Sequence, residues 1–379
     1  MQNPILSLKS NQKMKVIISG GGTGGHIFPA IAIAQELKHR DASIKILFIG
    51  ANGKMEMEKV PQAGFDIRGL DVVGYNRSNI FKNLLLPFKL AQSLGQAKSI
   101  LKEFNPSIVI GVGGYASGPA LYMANRMGIP TLIQEQNSYA GKTNKVLARK
   151  AKKICVAYEG MNAFFDQDKI ILTGNPVRKD LMGLAEKKQE AIRYFGLREG
   201  IKTVLVMGGS LGAHTLNQTM AFNMDTIAKN NQVQWIWQYG KQGIGKFDDS
   251  NFEKPLHVKS MPFIDRVDLA FAAADVVLCR AGALTISELL IANKPAVLVP
   301  APYVAEDHQT HNALSLVEKG AAVLVKDNTA TTEAIHRVYN LLHDEESIKK
   351  MKAAQATLAR PYATESIVNE IFKLIPQAA

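Results

Sequence analysis

The stretch ISGGGTGGHIFPA, residues 18–30, sets five glycines within six residues directly before a histidine. Glycines let a ligand approach the main chain closely, and amides opening a helix suit an anion. A phosphate is the natural ligand. His26, at the positive end of the helix that follows, is placed to stay neutral and accept a proton. Its plainer role is a hydrogen-bonding cap. Three more turns follow strands in the same way: GVGGYASGP (111–119), GGSLGA (208–213) and CRAGALT (279–285). One glycine turn can serve only to pack a helix on a strand, but four at corresponding strand ends weigh against that reading.

Gly20, Gly22 and Gly25 satisfy G-x-G-x-x-G, a dinucleotide fingerprint that also needs an acid at the end of the second strand. That strand ends IGANGK, with no carboxylate at that point, so the NAD reading loses most of its support. Gly141-Lys142-Thr143 resembles the end of a P-loop, but Gln136 stands where the loop needs its first glycine.

In CRAGALTISELLIANKP a helix is expected from near Ala283, with Ile286, Leu289 and Leu290 buried. Glu288 shares a face with Leu284 and Thr285. It could grip a ribose diol while the Ala283 and Leu284 amides hold phosphates; alternatively it only stabilises the helix start. PYVAEDHQTHNA offers His308, Gln309, His311 and Asn312. A zinc site would need Glu306 or Asp307 to complete it, and polar side chains reading sugar hydroxyls are the better account. Arg178, after Gly-Asn-Pro, offers a fork that matches phosphate oxygens, or is an ordinary surface arginine.

Two basic stretches remain. Residues 76–102 carry Arg77, Lys82, Lys89, Lys98 and Lys102 with no acid, among apolar residues that include Phe81, Leu85 and Phe88. Residues 141–153 add six lysines and arginines. Such a surface suits anionic lipid, at about 1 kcal/mol per charge near the headgroups, or is an amphipathic helix with a solvated face. Stacking aromatics for a nucleic-acid strand are lacking.

The elements must position these groups. At 379 residues the chain suggests two domains. It is 46% apolar and 21% charged, and its net charge of +12 asks for an acidic partner. Two distant cysteines suit a reducing compartment. No apolar run reaches the roughly 18 residues of a membrane span, and residues 1–13 read as a loose leader without a signal sequence. Strands are expected at 14–19, 44–50, 107–112, 131–134 and 153–158, then at 202–208, 234–240, 256–261, 275–280, 295–300 and 321–325. Alternation with helices predicts an α/β chain of two doubly wound halves, joined near LTGNPVRKDLMG (172–183) and closed by a helix over 365–374. Ligands in such sheets sit off the carboxyl ends of the strands.

GGGTGGHIFPA, GVGGYASGP, QEQNSYAGKTNK, GNPVR, GGSLGA, CRAGALTISE and HQTHNA, in this order, resemble the MurG family of peptidoglycan N-acetylglucosaminyltransferases, in glycosyltransferase family 28. The resemblance spans nearly the whole chain. It implies a GT-B fold: two Rossmann-like domains across a cleft, 14–177 completed by 361–379, and 178–360. It implies inverting, metal-independent transfer of N-acetylglucosamine from UDP-N-acetylglucosamine to the muramyl 4-hydroxyl of lipid I, giving lipid II, with no cofactor. Glu288 would hold the ribose, Ile264 the uracil through its backbone, and Gln309 the sugar. Ser210, Arg178, Ala283 and Leu284 would serve the diphosphate, with Thr23, Gly24, Gly25, His26 and Asn137 also meeting the donor. Gly22, Thr23, Gly113, Gly114, Tyr115, Glu135 and Asn137 would meet the acceptor, and His26 would be the base. Phe81, Lys82, Leu85, Phe88 and Lys89 would touch the anionic cytoplasmic face of the inner membrane, where other cell-wall and division proteins are implied partners. His308 departs from members that carry glutamine there. A related UDP-sugar enzyme such as a glycolipid synthase or 2-epimerase, and an idle lipid-binding scaffold, are the alternatives.

Overall fold

The structure, a computed structural model, describes residues 14–72, 86–209 and 211–375. The leader 1–13 therefore lies outside the described residues, as do Ser210, Phe81, Lys82 and Leu85. The chain divides into two units, Met1–Pro176 with Tyr362–Ala379, and Val177–Pro361.

In the first unit the strands are β1 (Lys15–Ser19), β2 (Lys45–Ala51), β3 (Asp66–Leu70), β4 (Ile108–Gly111), β5 (Thr131–Glu135), β6 (Lys153–Val156) and β7 (Ile170–Leu172). Among the described residues they form a parallel sheet of order β3-β2-β1-β4-β5-β6-β7. Crossovers run through α1 (Gly24–Arg40), α2 (Glu56–Gln62), α3 (Leu86–Phe104), α4 (Ser117–Arg126) and α5 (Lys142–Ala148). The inner strands are buried on both faces, which is why they read as unbroken apolar runs. The two edge strands were not anticipated from the sequence. DIRGL of β3 alternates exposed and half-buried residues up to a buried Leu70, and β7 has only three, all half-buried.

The second unit holds β8 (Lys202–Met207), β9 (Val233–Gln238), β10 (Val258–Met261), β11 (Val276–Cys279), β12 (Ala296–Leu298) and β13 (Val323–Leu324). Their order is β10-β9-β8-β11-β12-β13, again parallel. Its helices are α6 (Lys188–Phe195), α7 (His214–Phe222), α8 (Met224–Lys229), α9 (Val267–Ala273), α10 (Ala283–Ala292), α11 (His308–Val317), α12 (Ala330–Leu342) and α13 (Glu345–Leu358). Trp235 and Trp237 of β9 are wholly buried in its core, and the Trp237 indole N–H donates to Asn217 Oδ1 at 3.1 Å. The segment after the domain junction is tied down by Asp268. Its carboxylate accepts two bonds from Arg266 and one from Lys187, all at 2.9 Å. Chiefly through Arg266, these hold it well below the usual carboxylate range.

The last helix, α14 (Ala363–Leu374), belongs to the first unit. Ile367, Val368 and Ile371 are fully buried in one cluster with Ile27, Ile31 and Ile33 of α1. At roughly 1.5–3 kcal/mol for each fully buried side chain, that face is worth on the order of 5 kcal/mol, enough to hold a segment so distant in sequence.

In both sheets the strand order reverses once, between β1 and β4 and between β8 and β11. These topological switch points are where open α/β sheets bind ligands. The four glycine turns leave the sheets there, one after each of the four strands.

Candidate active site

At the first switch point the two glycine turns touch backbone to backbone. Gly21 N–H donates to Gly113 O at 3.2 Å. Gly114 has φ +86°, and a Cβ there would lie 2.3 Å from Gly21 O, so no side chain fits between the turns. The helix after the first turn begins at Gly24, with Thr23 as N-cap. His26 therefore lies within its first turn. The half-buried His26 ring places Nδ1 3.1 Å from Gly21 O and 3.3 Å from Thr23 Oγ1. A carbonyl only accepts, so Nδ1 carries the proton and Nε2 is the acceptor nitrogen of the neutral ring. Gly113 backs the ring, since a Cβ there would lie 2.8 Å from Nε2.

The Gly20, Gly21 and Gly22 amides bond within the protein itself. Gly20 N–H donates to Ile49 O at 3.2 Å, Gly21 N–H to Gly113 O, and Gly22 N–H to Glu56 Oε2 at 2.8 Å. The first-turn amides of α1, at Thr23, Gly24 and Gly25, have no side-chain cap and open toward the exposed surface. Those are the amides positioned for an anion.

Glu56 was not singled out from the sequence. It opens α2, is 1% exposed, and also accepts from Ala51 N–H at 3.0 Å. Its signal was a glutamate five residues past the second strand, with Glu58 two further on, beyond the strand end where a ribose-binding acid is sought.

Glu135 is bonded to its own loop. It is 2% exposed, and its oxygens accept from Asn137 N–H (3.1 Å), Gly141 N–H (3.1 Å) and Asn144 Nδ2 (2.8 Å). It braces the loop QNSYAG and so sets where Asn137 stands. Tyr115 is 59% exposed beside Gly114.

At the second switch point Gly282 caps α10 with extended backbone, and the half-buried Ala283 and Leu284 open it. Ile286 and Leu289 are fully buried, as the apolar spacing predicts. Glu288, 16% exposed, faces Arg178, whose Nε lies 3.2 Å from Oε1. Burial pushes the Glu288 carboxyl above its ordinary range, opposed by the Arg178 charge. The two residues expected to hold ribose and diphosphate separately are therefore paired with each other. Ile264, in the loop after β10, is 1% exposed, main chain included. Gln309 accepts from Ala301 N–H at 2.9 Å, which leaves its NH₂ end to donate. Before it, Glu306 and Asp307 both occupy the left-handed region, at φ +53° and +50°. Two such residues in succession are strained, and they set His308 with Nε2 3.7 Å from Glu306 Oε2. Among the described residues no three His, Cys, Asp or Glu side chains gather as metal ligands.

Of the basic apolar stretch, α3 exposes Phe88 (76%) and Leu90 (55%) beside Lys89. No described helix is long and apolar enough to cross a membrane.

Two doubly wound units, each with glycine turns leading into helix starts at its switch point, define a two-domain α/β protein with places for anionic ligands. The glycosyltransferase family 28 N-terminal domain matches residues 16–156 and the family's C-terminal domain matches 203–367. The UDP-N-acetylglucosamine–N-acetylmuramyl-(pentapeptide) pyrophosphoryl-undecaprenol N-acetylglucosamine transferase of Parabacteroides distasonis is 50% identical, over 96% of this chain and 99% of its own. The Flavobacterium psychrophilum protein of the same name is also 50% identical, over 96% and 98%. The crystal structure of Acinetobacter baumannii MurG superposes with a TM-score of 0.76 at 29% identity, covering 95% of this chain and 99% of that one. The chain belongs to glycosyltransferase family 28. The UDP-GlcNAc 2-epimerase of Neisseria meningitidis, at 16% identity and a TM-score of 0.65, shares the fold alone.

Proposed function

We propose that this chain transfers N-acetylglucosamine from UDP-N-acetylglucosamine to the 4-hydroxyl of the muramyl sugar of lipid I, completing lipid II for peptidoglycan. The observation that carries the proposal is the 50% identity, over nearly the full length of both chains, to transferases named for that donor and acceptor.

In this reading the Val177–Pro361 unit binds the donor. The ribose hydroxyls bond to Glu288 and draw it from its pairing with Arg178. The freed guanidinium and the Ala283 and Leu284 amides then meet the diphosphate, where charge grows as the bond breaks. Protein donors supply that stabilisation in place of a metal ion. Gln309 donates to a sugar hydroxyl from its NH₂ end. The other unit binds lipid I, its pyrophosphate lying at the Thr23–Gly25 amides with Tyr115 and Asn137 nearby.

His26 is the base. Its Nε2 takes the proton of the muramyl 4-hydroxyl as that oxygen bonds to C1 of the donor sugar. The C1–O bond breaks on the opposite face, its electron pair leaves with UDP, and the anomeric configuration inverts. The enzyme works at the cytoplasmic face of the membrane, which α3 meets through Phe88, Lys89 and Leu90.

The test is UDP release from UDP-N-acetylglucosamine, with and without a lipid I analogue, in the parent and His26→Ala. Release that requires the analogue and falls at least about a hundredfold in the variant supports both parts. Release without any acceptor would point to an epimerase or hydrolase instead, and a fully active variant would remove His26 as base.

A further inference from the structure

The Gly21–Gly22 peptide is held on both edges by side chains. Its N–H, on Gly22, donates to Glu56 Oε2 at 2.8 Å. Its C=O, on Gly21, lies 3.1 Å from His26 Nδ1. In a trans peptide these two groups point in opposite directions, so the carboxylate and the imidazole are linked through one planar, conjugated unit. Space has been cleared for the carboxylate. A Cβ on Gly21 would lie 2.2 Å from Glu56 Cδ, and one on Gly50 2.6 Å from its Cγ. The second carboxylate oxygen is fixed by Ala51 N–H at 3.0 Å.

We infer that Glu56 is a positioning residue for the transfer reaction, forming a carboxylate–peptide–histidine relay that fixes the tautomer of His26 and raises the basicity of its Nε2. This rests on the reading of His26 as the base. A charge-assisted bond at the N–H polarises the peptide and makes its carbonyl a stronger acceptor. The carbonyl holds the Nδ1 proton more firmly and favours the imidazolium that forms when Nε2 takes a proton. An acid–histidine pair does the same by direct contact, whereas here a backbone amide stands between them. Around the ring are Thr23 Oγ1, Gly21 O and the Gly113 backbone. The first turn of α1 carries no acid. Glu135 of neighbouring β5 has both oxygens taken by its own loop.

The test compares the parent with Glu56→Gln, His26→Gln and the double variant, as full-length proteins. Two readouts are the pH dependence of kcat with a lipid I analogue and the titration of His26 by NMR on histidine-labelled protein. The relay predicts a kcat lowered about tenfold with KM values nearly unchanged. It predicts a His26 titration moved down by about half a pH unit or more, the acidic limb of kcat moving with it, and no added loss in the double variant. A reduced kcat with the titration and the limb unmoved would overturn the relay and leave Glu56 a structural brace. If His26→Gln keeps parental kcat while Glu56→Gln still moves the titration, the base assignment fails and with it the role of Glu56 in transfer, leaving only the coupling between Glu56 and His26. Should Glu56→Gln not fold, Glu56→Asp withdraws the charge by one methylene, and an unmoved His26 titration in it overturns the proposal equally.

Discussion

Each unit buries one carboxylate at its switch point, and the two are satisfied in opposite ways. Glu56 accepts two backbone N–H groups and is sealed from solvent. Glu288 has a side-chain partner, Arg178, which is itself 45% exposed, and burial holds its carboxyl above the ordinary range. Backbone donors cannot leave without unfolding the turn, so Glu56 is part of the architecture. A guanidinium on an exposed side chain can exchange its carboxylate for a phosphate, so Glu288 is suited to a site that fills and empties. The contrast separates a carboxylate locked into a turn from one whose partner can exchange.

The largest effect should come from Gly21→Ala. Its new methyl would fall on the Glu56 carboxylate, displacing the turn, and transferase activity should drop at least about a hundredfold. Steady-state UDP release would measure it, and a near-normal rate would mean that the turn can move freely. Glu56→Ala strands two backbone N–H groups, and chemical denaturation should find it less stable by about 2 kcal/mol.

Glu288→Gln should differ in sign. It removes a charge that burial disfavours, so its midpoint at neutral pH should equal or exceed the parent's while the donor KM rises about tenfold. A raised carboxyl pKa costs stability above the unfolded value, and that cost is relieved as pH falls through the folded value. The parent's margin below the variant should therefore narrow on acidification. A variant clearly less stable at pH 7 would place Glu288 with Glu56, as architecture.

The smallest effect concerns Asp268, whose carboxyl is held low by Arg266 and Lys187. Its contribution is present above its unfolded value, near pH 4, and is lost as pH falls toward the folded value. Asp268→Asn should flatten the acid side of the stability profile between about pH 4 and pH 2, with donor kinetics unchanged.

The glycine turns, the inner strands and the buried face of α10 were legible because each depends on residues close in sequence. A strand buried on both faces must be apolar at successive positions, and a helix over a sheet must repeat its apolar residues by the turn. The edge strands β3 and β7 escaped because partial exposure removes that constraint. That Glu135 braces its own loop was not legible, because only the loop's closure brings Gly141 and Asn144 onto the carboxylate.

What the sequence by itself determined is the chemistry available: a histidine after a glycine run, a glutamate one turn into a helix, and a family resemblance in ordered motifs. Tertiary structure decided which of those groups meet. It brought Glu56 under a turn 34 residues earlier, paired Arg178 with Glu288, and directed the Gly20–Gly22 amides inward. A hydrogen bond depends on distance and direction in space, and sequence separation carries no information about either once the chain crosses from one strand to another.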